Sequence, residues 1–131
     1  MSKSRSDKWV ALAGFLAWIV PGAGHWYIGQ RAHAVILFTA IHLTYWFGIA
    51  ISGFSIFEYA QNRWWFLAHL LGGINGLIGW YAEANWQGIA TAYGKSWDVG
   101  NIYCGVAGLL NLLVVIDAMA RTEEHNTTMT R

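Results

Sequence analysis

Four long blocks without a charged side chain constrain this chain more than any other feature. They cover residues 9–30, 32–57, 64–82 and 99–116, which together make up most of the 131 residues. A helix that crosses the hydrocarbon core of a bilayer needs about 20 mainly apolar residues. Each block is near or above that length. The sequence therefore predicts an all-α integral membrane protein with four transmembrane helices.

The overall composition excludes several classes of protein. Only 11% of the residues are charged, whereas an ordinary soluble domain has about 25%, so a soluble enzyme and a disordered chain are excluded. The net charge of +1 gives no signal for nucleic-acid binding. The single cysteine allows neither an intramolecular disulfide nor a cysteine-rich metal site. The predicted partners are the lipid bilayer and other membrane proteins, or a second copy of this chain.

The four spans belong to one membrane domain that takes in residues 1–131. The expected spans are about 9–28, 32–54, 64–81 and 102–120. A polar and mobile tail is expected after the last of them.

Two segments depart from plain helical spans. Proline removes a backbone donor and the glycines that follow loosen the chain, so the first span is expected to kink at Pro21–Gly24. Between the third and fourth spans, residues 86–97 place apolar side chains at helical spacing. This pattern predicts a short interfacial helix, and a plain loop with two interfacial tryptophans is the alternative.

The distribution of Lys and Arg predicts the orientation, because these residues accumulate in cytoplasmic loops. With four spans and a cytoplasmic N-terminus, six basic residues lie inside: Lys3, Arg5, Lys8, Arg63, Arg121 and Arg131. Two lie outside, Arg31 and Lys95. The chain is therefore expected in the cell inner (cytoplasmic) membrane, multi-pass, with both termini in the cytoplasm.

Small and polar side chains are expected to hold the helices together, since lipid gives helices no hydrophobic reason to associate. The expected packing residues are Gly48, Gly72, Gly76, Asn75, Gly108 and Asn111. Asn75 and Asn111 fall at similar depths near the middle of their spans. A lone amide is costly in hydrocarbon, so direct or water-bridged contact between them is expected.

The most distinctive local motif is the segment PGAGHWYIGQ at residues 21–30. Its defining residues are Pro21, Gly22, Gly24, His25, Tyr27, Gly29 and Gln30. The segment resembles the Pro-Gly-x-Gly-His-x-Tyr-x-Gly hairpin of small bacterial membrane proteins related to the two-transmembrane-helix domain family. In that family a Gly…His…Tyr-x-Gly segment joins two closely spaced helices, and the spacing here is one residue shorter than the commonest form.

This resemblance covers residues 9–54. The stretch at residues 106–118 is also similar to the last helix of an uncharacterised four-helix bacterial membrane family with the same Pro-Gly-x-Gly-His motif, which implies no known activity. As architecture, the motif allows close backbone approach, and His25 is expected to hydrogen-bond carbonyls freed by Pro21. The alternative is a ligand site built on the broken helix.

Histidines are the only candidate cofactor ligands. The candidates are His25, His33, His42 and His69. A haem between helices needs two opposed imidazoles at similar depth, and the expected depths of His42 and His69 differ by about 10 Å at 1.5 Å per residue. No cofactor is therefore predicted. Asp117 is expected to pair with Arg121, four residues further along the same helix.

The leading functional hypothesis is a small non-catalytic membrane protein, a scaffold or accessory subunit of a membrane protein assembly. No catalytic motif is present in the sequence, so an enzyme is not expected. A haem- or metal-binding electron-transfer subunit is the first alternative. A small transporter or channel, with a polar path along His25, Asn75 and Asn111, is the second.

Overall fold

The computed structural model describes residues 8–53, 63–85 and 95–129. Every regular element in these ranges is a helix. The six helices are α1 Val10–Ile19, α2 Ala23–Tyr27, α3 Arg31–Ser52, α4 Arg63–Leu70, α5 Ile74–Asn85 and α6 Lys95–Met129.

Helix α6 is the central element, and α3 packs antiparallel to it. Gly48 of α3 lies against Cys104, and Ser52 lies against Gly100. A side chain on any of these glycines would push the two helices apart. The buried core forms along this contact, where Ile41, Tyr45 and Ile49 of α3 meet Cys104, Ala107 and Val114 of α6.

Helix α1 also runs antiparallel to α6 but covers only half of it. The backbone amide of Lys8 donates to Oδ1 of Asn126 at 3.1 Å, and at the other end of α1 the carbonyl of Trp18 accepts from Nδ2 of Asn111 at 3.1 Å. The chain then turns back toward its starting end. The contact that shows this is the hydrogen bond from Nζ of Lys8 to the carbonyl of Tyr27, at 2.7 Å. We call the end of the bundle that holds Lys8, Tyr27 and Asn126 the terminal end.

The predicted first span, residues 9–28, is therefore a helical hairpin. The expected break at Pro21–Gly24 is present, since α1 ends at Ile19 and α2 begins at Ala23. The break does more than bend a span: residues 8 and 27 lie side by side. The physical reason is the close packing of Gly24 against Ala13 and Ala17, which folds α2 onto α1.

Helix α4 runs parallel to α6, with Trp65 against Gly105 and Ala68 against Gly108. It therefore starts toward the end of the bundle that holds Ser52 and Gly100, which we call the opposite end. The predicted continuous span at 64–81 is interrupted at residues 71–73, which form a turn. Gly73 adopts a φ of 62° there, a conformation that glycine tolerates and most residues do not.

The last helix is longer than predicted in both directions. The expected span at 102–120 is the middle of α6, which continues to Met129 where a mobile tail was expected. Of the predicted interfacial helix at 86–97, residues 95–97 belong to α6, and residues 86–94 lie outside the described residues.

The predicted position of Arg31 is corrected as well. The sequence placed Arg31 on the side opposite to Arg121, but Nη1 of Arg121 donates to Oε1 of Gln30 at 3.4 Å. The turn before α3 therefore lies at the terminal end. The cause is the hairpin before it, which brings the chain back to its starting end.

The described chain contains two similar units in opposite directions. In the first, α1, a break and α2 precede the long helix α3; in the second, α4, a break and α5 precede the long helix α6. The first unit enters from the terminal end and the second from the opposite end. Their two breaks meet, because Gly73 lies directly on the carbonyls of Trp18 and Ile19.

Two helices, Arg31–Ser52 and the Asp98–Met129 part of α6, are long and apolar enough to cross a membrane. The ten residues of α1 rise only about 15 Å, half of a hydrocarbon core. Four transmembrane helices are therefore not confirmed, whereas the all-helical architecture is.

Candidate functional site

The distinctive motif is tied to α6 by a chain of polar contacts. Nε2 of His25 donates to Oδ2 of Asp117 at 2.7 Å, and Nε of Arg121 donates to the same oxygen at 2.8 Å. Arg121 also reaches Gln30. We call His25, Gln30, Asp117 and Arg121 the terminal-end cluster. His25 is fully buried, whereas the side chains of Asp117 and Arg121 are 47% and 37% exposed.

The glycines of the motif allow this arrangement. Gly22 has a φ of 86° and lies directly on the carbonyl of Ala34, so a side chain there would be strained and would collide with α3. Gly24 faces Ala13, Ala17 and Ala118. The motif thus allows α2 to pack closely between α1, α3 and α6. This packing brings His25 within hydrogen-bond distance of Asp117.

The outcome for this part of the site is mixed. The predicted pair of Asp117 with Arg121 is confirmed. The expectation that His25 bonds backbone carbonyls freed by Pro21 is wrong, because its Nε2 bonds to Asp117 and its Nδ1 has no hydrogen-bond partner among the described residues. Sequence reasoning missed this contact because it placed the two residues on opposite sides of the membrane.

Truncating His25 is expected to destabilise the protein strongly. His25→Ala removes a fully buried ring and its bond to Asp117, which together are worth about 2–3 kcal/mol. For a chain of this size that lowers the melting temperature by roughly 5–10 °C. The measurement is thermal unfolding of the detergent-solubilised protein. His33→Ala is the matched control, since His33 is exposed near the same end, and a loss no larger than the control's would contradict the assignment.

A second polar centre lies where the two helix breaks meet. Nδ2 of Asn111 donates to the carbonyl of Trp18 at 3.1 Å and to that of Leu71 at 2.9 Å. These carbonyls are the ones that the ends of α1 and α4 leave without a helical partner. One fully buried amide therefore closes both breaks. We call this group the central contact.

No direct hydrogen bond joins Asn75 and Asn111 among the described residues. Asn111 uses its Nδ2 on the two carbonyls. Within the described ranges, neither Oδ1 of Asn111 nor Nδ2 of Asn75 has a hydrogen-bond partner. Both side chains are fully or almost fully buried. The position of Asn111 is therefore determined by its bonds to the carbonyls at the two helix breaks, and not by a bond to Asn75.

The glycines predicted for packing lie at close contacts. Gly108 faces the backbone of Ala68, and Gly76 lies directly on the carbonyl of His69. Gly48 faces α6, whereas Gly72 lies inside the turn after α4. Gly48 and Gly108 thus let α3 and α4 pack closely on α6, whereas Gly72 and Gly76 lie at the second break.

The four candidate histidines do not come together as ligands. Nε2 of His69 donates to Oδ1 of Asn101 at 2.7 Å, and Nε2 of His25 is bound to Asp117. His33 is exposed. No group of three or more metal-ligating side chains forms within residues 8–53, 63–85 and 95–129.

His42 differs from the other histidines in its surroundings. It lies at the middle of α3 and is only partly buried. Its Nδ1 donates to the carbonyl of Phe38 at 3.0 Å, and its ring stacks on that of Phe38 with centroids 3.9 Å apart. With the proton on Nδ1, Nε2 is an acceptor.

Comparison with known proteins adds one finding. Residues 12–130 match the model of a family of unknown function, DUF6677. No curated protein and no solved structure matches the chain. The family match takes in both units, the terminal-end cluster and the central contact. The chain therefore belongs to the DUF6677 family, whose function is unknown.

Proposed function

We propose that this chain is an integral membrane protein in which α3 and α6 cross the bilayer and two hairpins enter it halfway. The stretch of α6 from Gly100, beside Ser52, to Arg121, beside Gln30, rises about 31 Å. That matches a hydrocarbon core of about 30 Å. Asn111 lies at its middle, so the two breaks fall at mid-depth, where exposed backbone must be covered by protein. The central contact provides that cover.

We also propose which end of the bundle faces the cytoplasm, from the distribution of charge. The basic residues of the terminal end and of the segments continuous with it are Lys3, Arg5, Lys8, Arg31, Arg121 and Arg131. Arg63 and Lys95 begin α4 and α6 and belong to the opposite end. The ratio of six to two supports a cytoplasmic terminal end, and we propose that the protein lies in the inner membrane of the cell.

Within the membrane, we propose a non-catalytic role as an accessory subunit that contacts a helix of another membrane protein. The observation that carries this role is His42. Its imidazole lies at mid-depth on an outer part of α3. Nδ1 makes the one hydrogen bond that the ring forms with α3, to the carbonyl of Phe38, and this bond leaves Nε2 available on the other side of the ring. A polar group facing lipid at that depth is costly, so a donor from a neighbouring helix would stabilise it.

The other polar side chains support this reading. His25 is used to hold the first hairpin to α6, and Asn111 closes the two breaks. They are buried inside the protein, whereas His42 is only partly buried. The residues around His42 on the outer surface are Thr39, Leu43 and Trp46, all exposed.

Photo-crosslinking in living cells tests the accessory role. A photoreactive residue at Leu43, which is 66% exposed, is expected to give a discrete protein adduct. His42→Leu is expected to reduce that adduct about tenfold, because a hydrogen bond between helices in lipid is worth about 1–2 kcal/mol and 1.4 kcal/mol is a factor of ten. His42→Gln, which keeps an acceptor, should retain part of it.

The matched control is Leu113 of α6. It is 61% exposed and two residues from the level of Asn111, so it samples the same depth on another face. Equal adducts at Leu43 and Leu113, or an adduct that His42→Leu leaves unchanged, would overturn the proposal. An adduct of twice the 14.6 kDa chain mass would indicate self-association and contradict an accessory role.

A further inference from the structure

The first helix break leaves an apolar groove on the outer surface of the bundle. The groove encloses about 350 Å³, within the range of small-ligand sites. It lies between the break and α3, and its lining includes Val20, Pro21, Trp26, Ala34, Val35 and Phe38. It exists because α1 ends at Ile19 and no described helix continues along this side of α3.

The groove opens toward the surroundings of the protein. Trp26, Val35 and Phe38 are 54%, 53% and 42% exposed, while Ala34 and Pro21 form a buried floor. With the membrane placement proposed above, this surface faces the acyl chains of the cytoplasmic leaflet. The side chains that line the groove are apolar, and among the six named residues only the indole nitrogen of Trp26 can form a hydrogen bond.

A cation lies at the mouth of the groove. The guanidinium of Arg31 stands 5.7 Å from the centre of the Trp26 ring, at the start of α3 and therefore at the edge of the proposed membrane core. Asp117 is occupied by His25 and Arg121, and Arg31 makes no salt bridge with any carboxylate in the described part of the chain. An anion from outside the protein would complete this arrangement.

We propose that the groove binds an anionic phospholipid, with an acyl chain along Pro21, Val35 and Phe38 and the phosphate on Arg31. Charge complementarity favours this occupant, because an apolar slot with one cation at the headgroup level matches the acyl chain and the phosphate of a lipid. Phosphate is a preferred partner of a guanidinium. The proposal rests on the membrane placement above but not on the accessory role.

Native mass spectrometry of the detergent-purified full chain tests the groove. The probes are phosphatidylglycerol and phosphatidylcholine with identical acyl chains. We expect phosphatidylglycerol to bind about fivefold more tightly, because one basic residue near an anionic surface is worth about 1 kcal/mol. Arg31→Gln is expected to make the two lipids equal, and Arg31→Lys to keep the preference.

Filling the groove gives an independent arm. Val35→Trp is expected to remove most of the binding of both lipids, whereas Ile36→Trp, on the adjacent exposed position outside the groove, should bind as the original chain does. Equal binding of the two lipids by the original chain, or an unchanged preference in Arg31→Gln, would overturn the proposal. The Arg31 variants alter an exposed side chain, so they remain decisive even if Val35→Trp does not fold. Loss of lipid binding leaves the adduct at Leu43 unaffected, which separates this inference from the accessory role.

Discussion

Gly73→Ala is expected to abolish the folded protein, whereas Gly29→Ala is expected to leave it nearly intact. Both glycines have a left-handed backbone, with φ of 62° at Gly73 and 91° at Gly29. An added methyl group therefore costs a similar 1–2 kcal/mol of strain at either position. Only at Gly73 would that methyl group also collide with the carbonyl of Trp18, and at Gly29 nothing lies within 4 Å.

The collision at Gly73 cannot be relieved by rotation of a side chain, because the atoms that the added methyl group meets are the backbone carbonyls of Trp18 and Ile19. The two helix breaks would have to separate, and Asn111 would lose at least one of its two carbonyl acceptors. We expect a total cost above about 4 kcal/mol, seen as loss of monodisperse protein in size-exclusion chromatography. Equal yields and melting temperatures for the two variants would show that the breaks do not touch.

The sequence was informative about where helices break and less so about what the breaks do. The stop at residues 20–22 follows from proline and two glycines, whose effects are local. The return of the chain to its starting end is not local. It depends on Gly24 packing against Ala13 and Ala17, and a block of 22 uncharged residues predicts a full span equally well.

The second break was hidden for a related reason. Gly72 and Gly73 suit a helix–helix contact as well as a turn, since small residues serve both. What decides between them is the partner. Gly73 meets the end of α1, a contact between two helix breaks that a continuous span over 64–81 does not predict.

The terminal-end cluster shows how a topology error conceals a site. The pair of Asp117 with Arg121 was predictable because four residues along one helix fix the distance. The bond between His25 and Asp117 joins residues 92 positions apart. A lone buried histidine and a lone carboxylate in an apolar helix were a usable signal, but only for a fold that places both at the same end.

Which side of the membrane each loop occupies distinguishes the two architectures almost completely. Four full spans place residues 32 and 95 on one side and residues 63 and 124 on the other. Two half-depth hairpins place residues 32 and 124 together in the cytoplasm and residues 63 and 95 together outside. The schemes therefore disagree at Ala32 and Arg63, and labelling at these positions is expected to be all or none.

The most direct test of the account is labelling of single cysteines with a membrane-impermeant maleimide in intact spheroplasts. The native thiol is buried and is removed by Cys104→Ala, and the probes are Ala32→Cys, Arg63→Cys, Lys95→Cys and Glu124→Cys. We predict labelling at positions 63 and 95 before lysis, and at positions 32 and 124 only after it. Labelling of position 32 in intact spheroplasts, with position 63 protected, would contradict the half-depth hairpins and support four full spans.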